Sequence, residues 1–407
     1  MATMASATLV ATILGIIATF LIDDLGINRA QVGALIATSI VVAALASPVA
    51  GRFTDGLGGR RAVQLVFVTA LAGLLGMAVS PIWGLMFLPV AISSFGQAAA
   101  NPATNKLIAI HAPPGRRGFI TGIKQSGVQA GIFVSGLVIP SVALALGWRW
   151  SLVLVASVPT LALVAGSVLL PADAPRGAGV AMRSPREKSG PGVRFLAVYG
   201  GLMGFGAAYT FLLPLFVEEG LGMSARLGGL AAGLVGLSAF FGRILWARFA
   251  EIRSRYSVAL ASIAILSLGA VVALYSSGSQ TWLLWVGAVA TGFSSSSWNS
   301  VGMLAVIHQA GPARAGRQSG IVMFGFLAGL GVAPPILGWT IDTFDTYRWV
   351  WIISLSALVA ATTLSLWWLR GEAGRSSGRA EDQTREPDHG HSGAGRGEDA
   401  GDEGKAD

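Results

Sequence analysis

Twelve stretches of this 407-residue chain are each long and apolar enough to cross a bilayer, and no other feature constrains the fold as much. A spanning helix needs ~20 apolar residues. The runs are 4–22, 30–53, 62–79, 84–107, 118–145, 150–170, 194–217, 227–250, 257–276, 282–307, 318–341 and 348–369. They far exceed the ten residues of a barrel strand and do not alternate, so they predict helices. The first run begins almost at Met1 with no preceding Lys or Arg. It therefore reads as a retained span rather than a signal peptide, and a cytoplasmic lead is expected upstream of it.

Charge bears on orientation. The formal net charge is +8, and the stretch 371–407 holds five basic and ten acidic residues, so the remainder carries +13. That excess sits between the apolar runs, where it indicates topology and not nucleic-acid binding. Alternate connections contain Arg52, Arg60 and Arg61; Lys106, Arg116 and Arg117; five basic residues from Arg176 to Arg194; Arg248, Arg253 and Arg255; and Arg314 and Arg317. The other side holds only Arg29, Arg149, Arg226 and Arg348. The basic side is expected to be cytoplasmic, with both termini on it, in a plasma (inner) membrane. The absence of cysteine excludes disulfides, cysteine-ligated zinc and thiol catalysis.

The chain repeats itself. The segment Gly51-Arg52-Phe53-Thr54-Asp55 recurs 196 residues later as Ala247-Arg248-Phe249-Ala250-Glu251, Gln125-Ser126-Gly127 as Gln318-Ser319-Gly320, and Arg149-Trp150 as Arg348-Trp349. Two six-helix bundles follow, 1–170 and 194–370, joined by a cytoplasmic linker at 171–193. Residues 371–407, nearly free of apolar side chains, are expected to be disordered. A parallel repeat of this kind places a pathway at the interface of the halves.

On the hinge from Gly51 to Arg61 the sequence resembles the major facilitator superfamily, most of all its bacterial transporters. The family signature Gly-x-x-x-Asp-(Arg/Lys)-x-Gly-x-Arg-(Arg/Lys) is met by Gly51, Asp55, Gly58, Arg60 and Arg61, with Gly56 at the expected basic position. The resemblance implies an all-α membrane protein of twelve transmembrane helices in two pseudo-symmetric six-helix bundles. It also implies alternating access and a cytoplasmic gate in which Asp55 caps a neighbouring helix. Glu251 is its counterpart, with Arg253 beside it. Two further signatures are degraded: Val90 stands where an Arg would precede Ser94-Phe95-Gly96-Gln97, and Ile132 replaces the proline of the fifth-span antiporter motif. Both departures count against a standard proton-driven drug exporter.

Ionisable residues within spans mark candidate sites. Lys124 and Arg243 are the deep cations, and an anionic solute would satisfy both; snorkelling to the headgroups is the alternative reading. Gln97, Asn101 and Asn105 recur every four residues on one face of span four. Of these Gln97 and Asn101, with Lys124, Arg243, Gln125, Trp298 and Asn299, form the candidate substrate-binding set, as spans one, four, seven and ten line the pathway in the resembled family. No carboxylate lies mid-span, so no proton-coupling residue is assigned.

The function expected is secondary transport of a small solute, such as an organic anion of the carboxylate type. The alternative is an efflux pump for drugs or other lipophilic compounds. No catalytic constellation, metal cluster or phosphate-binding loop is present, so the reading is not an enzyme and calls for no cofactor. The expected partners are the solute, a proton or other coupling ion, and the lipid bilayer; nucleic acid is not among them, and the protein is expected to be a monomer.

Overall fold

The computed structural model describes residues 1–173 and 190–385. Among these residues it is helical, without strands. In chain order the helices are α1 (Ala2–Ile16), α2 (Ala18–Leu25), α3 (Arg29–Leu57), α4 (Gly59–Val79), α5 (Phe87–His111), α6 (Arg117–Leu146) and α7 (Trp148–Leu169). Then follow α8 (Pro191–Gly206), α9 (Leu213–Leu215), α10 (Ala225–Arg253), α11 (Tyr256–Ser276), α12 (Trp282–Phe293), α13 (Trp298–Phe344) and α14 (Arg348–Arg385).

Ten helical stretches are long and apolar enough to span a membrane, and the pair α1 and α2, bent by 59°, makes an eleventh. The stretch from Trp282 to Phe344 contains two, since Gly311 adopts φ 64°, ψ 173° and breaks α13 there. The twelve expected spans are thus present. Only a residue without a Cβ adopts that left-handed dihedral cheaply, and Pro312 then opens span eleven at a position that needs no N–H donor.

Local chemistry sets several helix ends. Asn28 accepts a hydrogen bond from the Gln31 backbone N–H at 2.9 Å, and the Gln31 side chain accepts from the Asn28 N–H at 2.9 Å. This reciprocal capping box fixes the start of α3 and is worth ~1 kcal/mol. On the same face, the indole of Trp148 and the guanidinium of Arg149 both donate to Asp24, at 3.0 and 2.5 Å. The C-terminal half matches this with Tyr347, whose hydroxyl donates to Glu219 at 2.7 Å. Burial, and next that bond, pushes the Tyr347 hydroxyl above the ordinary phenol range.

Three elements differ from the sequence expectation. Span seven is not one helix: α8 ends at Gly206, a 3-10 turn covers Ala208–Phe211, and a π-helical turn covers Phe216–Gly220. Pro214 contributes, because it lacks the N–H that a continuous ladder would need. Span ten is likewise interrupted at 294–297, between α12 and α13. Finally, α14 stays helical to Arg385, so the unstructured tail expected from 371 does not begin there. The expected linker at 171–193 falls mostly on 174–189, outside the described residues, as do residues 386–407.

The halves meet along two seams on the basic face. In one, α3 packs against the span-eleven part of α13, and a Cβ on Gly51 would stand 2.5 Å from the carbonyl oxygen of Gly316. In the other, α6 packs against α10, and a Cβ on Gly122 would stand 2.6 Å from the Cα of Ile244. Backbones this close gain the dispersion contacts that hold membrane helices together, where no hydrophobic force is available.

Candidate functional site

The polar residues singled out in spans four and five come together where the halves meet. The Lys124 ammonium donates to Asn101 Oδ1 at 3.0 Å and to Asn105 Oδ1 at 2.6 Å, and Gln125 Nε2 donates to Asn101 Oδ1 at 3.0 Å. Asn105 Nδ2 in turn donates to Ser319 Oγ at 2.7 Å, and both asparagines rest on methionine sulfurs of α13, Met323 and Met303. Spans four and five of one half are thereby tied to spans ten and eleven of the other. Lys124 is 4% exposed, Asn101 2% and Asn105 0%. Lys124 lies seven residues into α6, roughly 10 Å along its axis. Its ammonium is turned inward onto the asparagines, and not out to the headgroups as snorkelling would require.

Arg243 joins this group by another route. Its Nε donates to the Ser296 carbonyl at 3.0 Å and its Nη1 to the Gln125 carbonyl at 2.6 Å. One guanidinium therefore bridges α10, the interruption of span ten and span five of the opposite half. Trp246 adds a second brace, donating to the Phe293 carbonyl at 2.9 Å. The orphan carbonyls that a broken span leaves in the membrane are satisfied by these donors and by the serines of the break, with Ser294 bonding Ala290 and Ser297 bonding Gly292.

The remaining candidates fall differently. Gln97 accepts only a long bond from Ser39 Oγ, at 3.4 Å. Trp298 is 1% exposed and sealed inside the C-terminal half, its ring 5.8 Å from that of Tyr199 and 5.3 Å from that of Phe326. It is a packing residue in this conformation, apart from the polar chain. Asn299 follows it, with a buried Oδ1 that has no hydrogen-bond partner.

Of the hinge residues, some cross between the halves and some do not. Asp55 crosses: its carboxylate accepts from the backbone N–H groups of Gly316 at 3.1 Å and Arg317 at 2.8 Å, in the opening turns of span eleven. Those amides carry the positive end of the helix dipole, and a carboxylate there is worth about 0.5–2 kcal/mol. Lys106 braces the same corner by donating to the Asp55 carbonyl at 2.6 Å. Gly51 crosses by backbone contact with Gly316, and Glu251 by contact with Gly118. Gly58, Arg60 and Arg61 stay within their own half, and Arg253 is exposed at the end of α10.

The partner of those three is Asp173, which the sequence reading overlooked. Its carboxylate accepts from the backbone N–H groups of Arg60 at 3.0 Å and Arg61 at 3.1 Å, capping α4, while the Arg60 guanidinium bonds the Ser167 carbonyl. Gly58 has φ 98°, and any Cβ there would collide with the Asp173 carboxylate. The available signal was a carboxylate just beyond the end of span six, on the same face as the basic hinge. His308 lies within α13, its ring 5.1 Å from that of Tyr256.

This architecture and signature define a family. The Major Facilitator Superfamily model matches residues 1–250 and 195–392, and the chain belongs to that superfamily. Among curated proteins the chain is 30% identical over 156 residues to "Polyol transporter 5" of Arabidopsis thaliana, covering 38% of this chain and 29% of that one. It is 35% identical over 155 residues to "Puromycin resistance protein pur8" of Streptomyces alboniger, covering 37% and 30%. A longer alignment, 376 residues at 26% identity, joins it to "Probable nitrate/nitrite transporter NarK2" of Mycobacterium tuberculosis, with 87% of this chain and 91% of that one covered. The first curated relatives it matches are aligned over only about a third of their own length, 34% and 29% for the first two. Among solved structures, the human organic anion transporter MFSD10 (TETRAN) superposes with a TM-score of 0.71 at 15% identity, covering 89% of this chain and 98% of that one. At that identity the likeness concerns the fold.

Proposed function

We propose that this protein is a secondary active transporter that moves a small anion across the plasma membrane by alternating access, with both termini in the cytoplasm. One observation carries the reading. Lys124 and Arg243, one from each half, are joined through Asn101 and Gln125 in a single hydrogen-bond chain, and no carboxylate lies within ion-pair distance of either among the described residues. Neutral amide and carbonyl oxygens solvate them but leave their charge uncompensated, and an uncompensated buried ion costs several kcal/mol. An anion at ~4 Å would recover about 4 kcal/mol at an effective dielectric of 20. The relatives' names alone point to polyols, nitrate and puromycin and so do not choose a solute; the pair of buried cations favours an anion over a lipophilic cation.

In this reading the two seams are the cytoplasmic gate in its closed position. Asp55 on span eleven and the glycine contacts hold it shut, and Arg243 connects it to the solute site. Uptake of labelled carboxylates by the full chain in proteoliposomes tests the assignment. Lys124→Gln and Arg243→Gln are each expected to lower uptake about 100-fold or more, with melting temperatures near that of the parent. Undiminished uptake in both variants, or flux of lipophilic cations without flux of anions, would overturn it.

A further inference from the structure

Between the two cations lies a group with the opposite requirement. Gln125 is 1% exposed, and its Oε1 is buried without a donor. Its Nε2 is fixed by Asn101 Oδ1, which Lys124 also addresses, so turning the amide over would set oxygen against oxygen. Asn299 Oδ1 and Gln318 Oε1 are likewise buried without donors. Asn299 stands three residues after Ser296, the carbonyl partner of Arg243, and Gln318 precedes Ser319, the partner of Asn105. One orphaned acceptor, Gln125 Oε1, thus belongs to the hydrogen-bond chain itself, and the other two neighbour its members in sequence in spans ten and eleven. Along the same chain donors are left over: the Lys124 ammonium has three N–H groups with two engaged, and the Arg243 guanidinium five with two engaged.

A bare anion would satisfy the donors and leave the amide oxygens unpaired, at a cost that native structures seldom accept. An uncharged polyol would pair the amide oxygens and leave the two positive charges uncompensated. We infer that the solute carries both kinds of group, a carboxylate together with hydroxyl donors, and is therefore a hydroxylated carboxylate. This rests on the anion reading above and narrows it. The carboxylate belongs with Lys124 and Arg243, and its hydroxyls donate to Gln125, Asn299 and Gln318 as the halves open around it.

The test is a binding titration of the purified full chain with four probes: gluconate, which has both features; hexanoate, a carboxylate of equal length without hydroxyls; glucose, which has no charge; and nitrate. Gluconate is expected to bind at least about tenfold more tightly than each of the others. Gln125→Met should cut gluconate affinity about tenfold and leave hexanoate within about twofold, whereas general damage would weaken both alike and overturn the assignment of Gln125. Hexanoate or nitrate binding as well as gluconate would overturn the hydroxyl inference and leave the anion reading standing. Glucose binding as well as gluconate would overturn the anion reading itself. Failure of all four probes to bind a folded, monodisperse protein would overturn both.

Discussion

At the seam between α3 and α13, Asp55 meets two backbone N–H groups of the facing helix; at the matching seam between α10 and α6, Glu251 meets none. The residues occupy equivalent places in the repeat, 196 positions apart. Glu251 is 8% exposed and lies against Gly118 in the first turn of α6, as Asp55 lies against Gly316, yet both its oxygens are buried without a donor. The difference is made up about two turns deeper. Ser47, the repeat partner of Arg243, bonds only its own helix, at Ala43. Arg243 reaches across to Gln125. One seam is fastened at the membrane face by a helix cap and the other in the interior by a guanidinium. Interior fastening puts the second seam in contact with the proposed solute site, so in that proposal solute arrival and gate release are linked there and not at the first.

This contrast can be broken by experiment, and a chain without cysteine suits the purpose. Spin labels at Arg52→Cys and Ala313→Cys would report the first seam, and at Arg116→Cys and Arg255→Cys the second. The largest effect is expected from Asp55→Asn, which weakens a charged helix cap and should reduce the closed population of the first seam about tenfold. Glu251→Leu should act in the opposite direction and more weakly, raising the closed population of the second seam a few-fold, because closing then no longer buries an unpartnered carboxylate. Equal losses of closure from both variants would show that the seams are fastened alike. Arg60→Ala should be smallest, under about twofold at either distance, since its contacts stay within one half. A larger change in the label distances would mean that the α4 cap controlled by Asp173 is part of the gate.

The spans were legible in the sequence because bilayer thickness imposes a length that composition reveals directly. The repeat was legible because the hinge kept its order of small, basic and acidic residues. The interruptions were not. In span ten three serines, Ser294, Ser295 and Ser297, satisfy the broken ladder through their own hydroxyls, and their positions alone do not reveal a break. Span seven loses its regularity at alanine, tyrosine and threonine positions that would suit a helix in another context. Among site residues, Lys124, Asn101 and Gln125 could be grouped from burial cost and a four-residue period. Trp298 could not be placed, because an aromatic next to a polar patch does not reveal which side of its helix the neighbours cover. Asp173 was hidden for a simpler reason: its partners are backbone amides 112 and 113 residues earlier, and backbone donors have no sequence signature.

The kink at Gly311 has a bearing on how the protein can be handled. In the N-terminal half the corresponding turn runs through five residues, 112–116, between α5 and α6. In the C-terminal half a single residue does the turning, and helix continues on both sides. Spans ten and eleven therefore form one bent rod, without slack. Epitope tags, fluorescent proteins or protease sites inserted after Ala112 would extend a loop, whereas the same insertions at Gly311 would cut a lever.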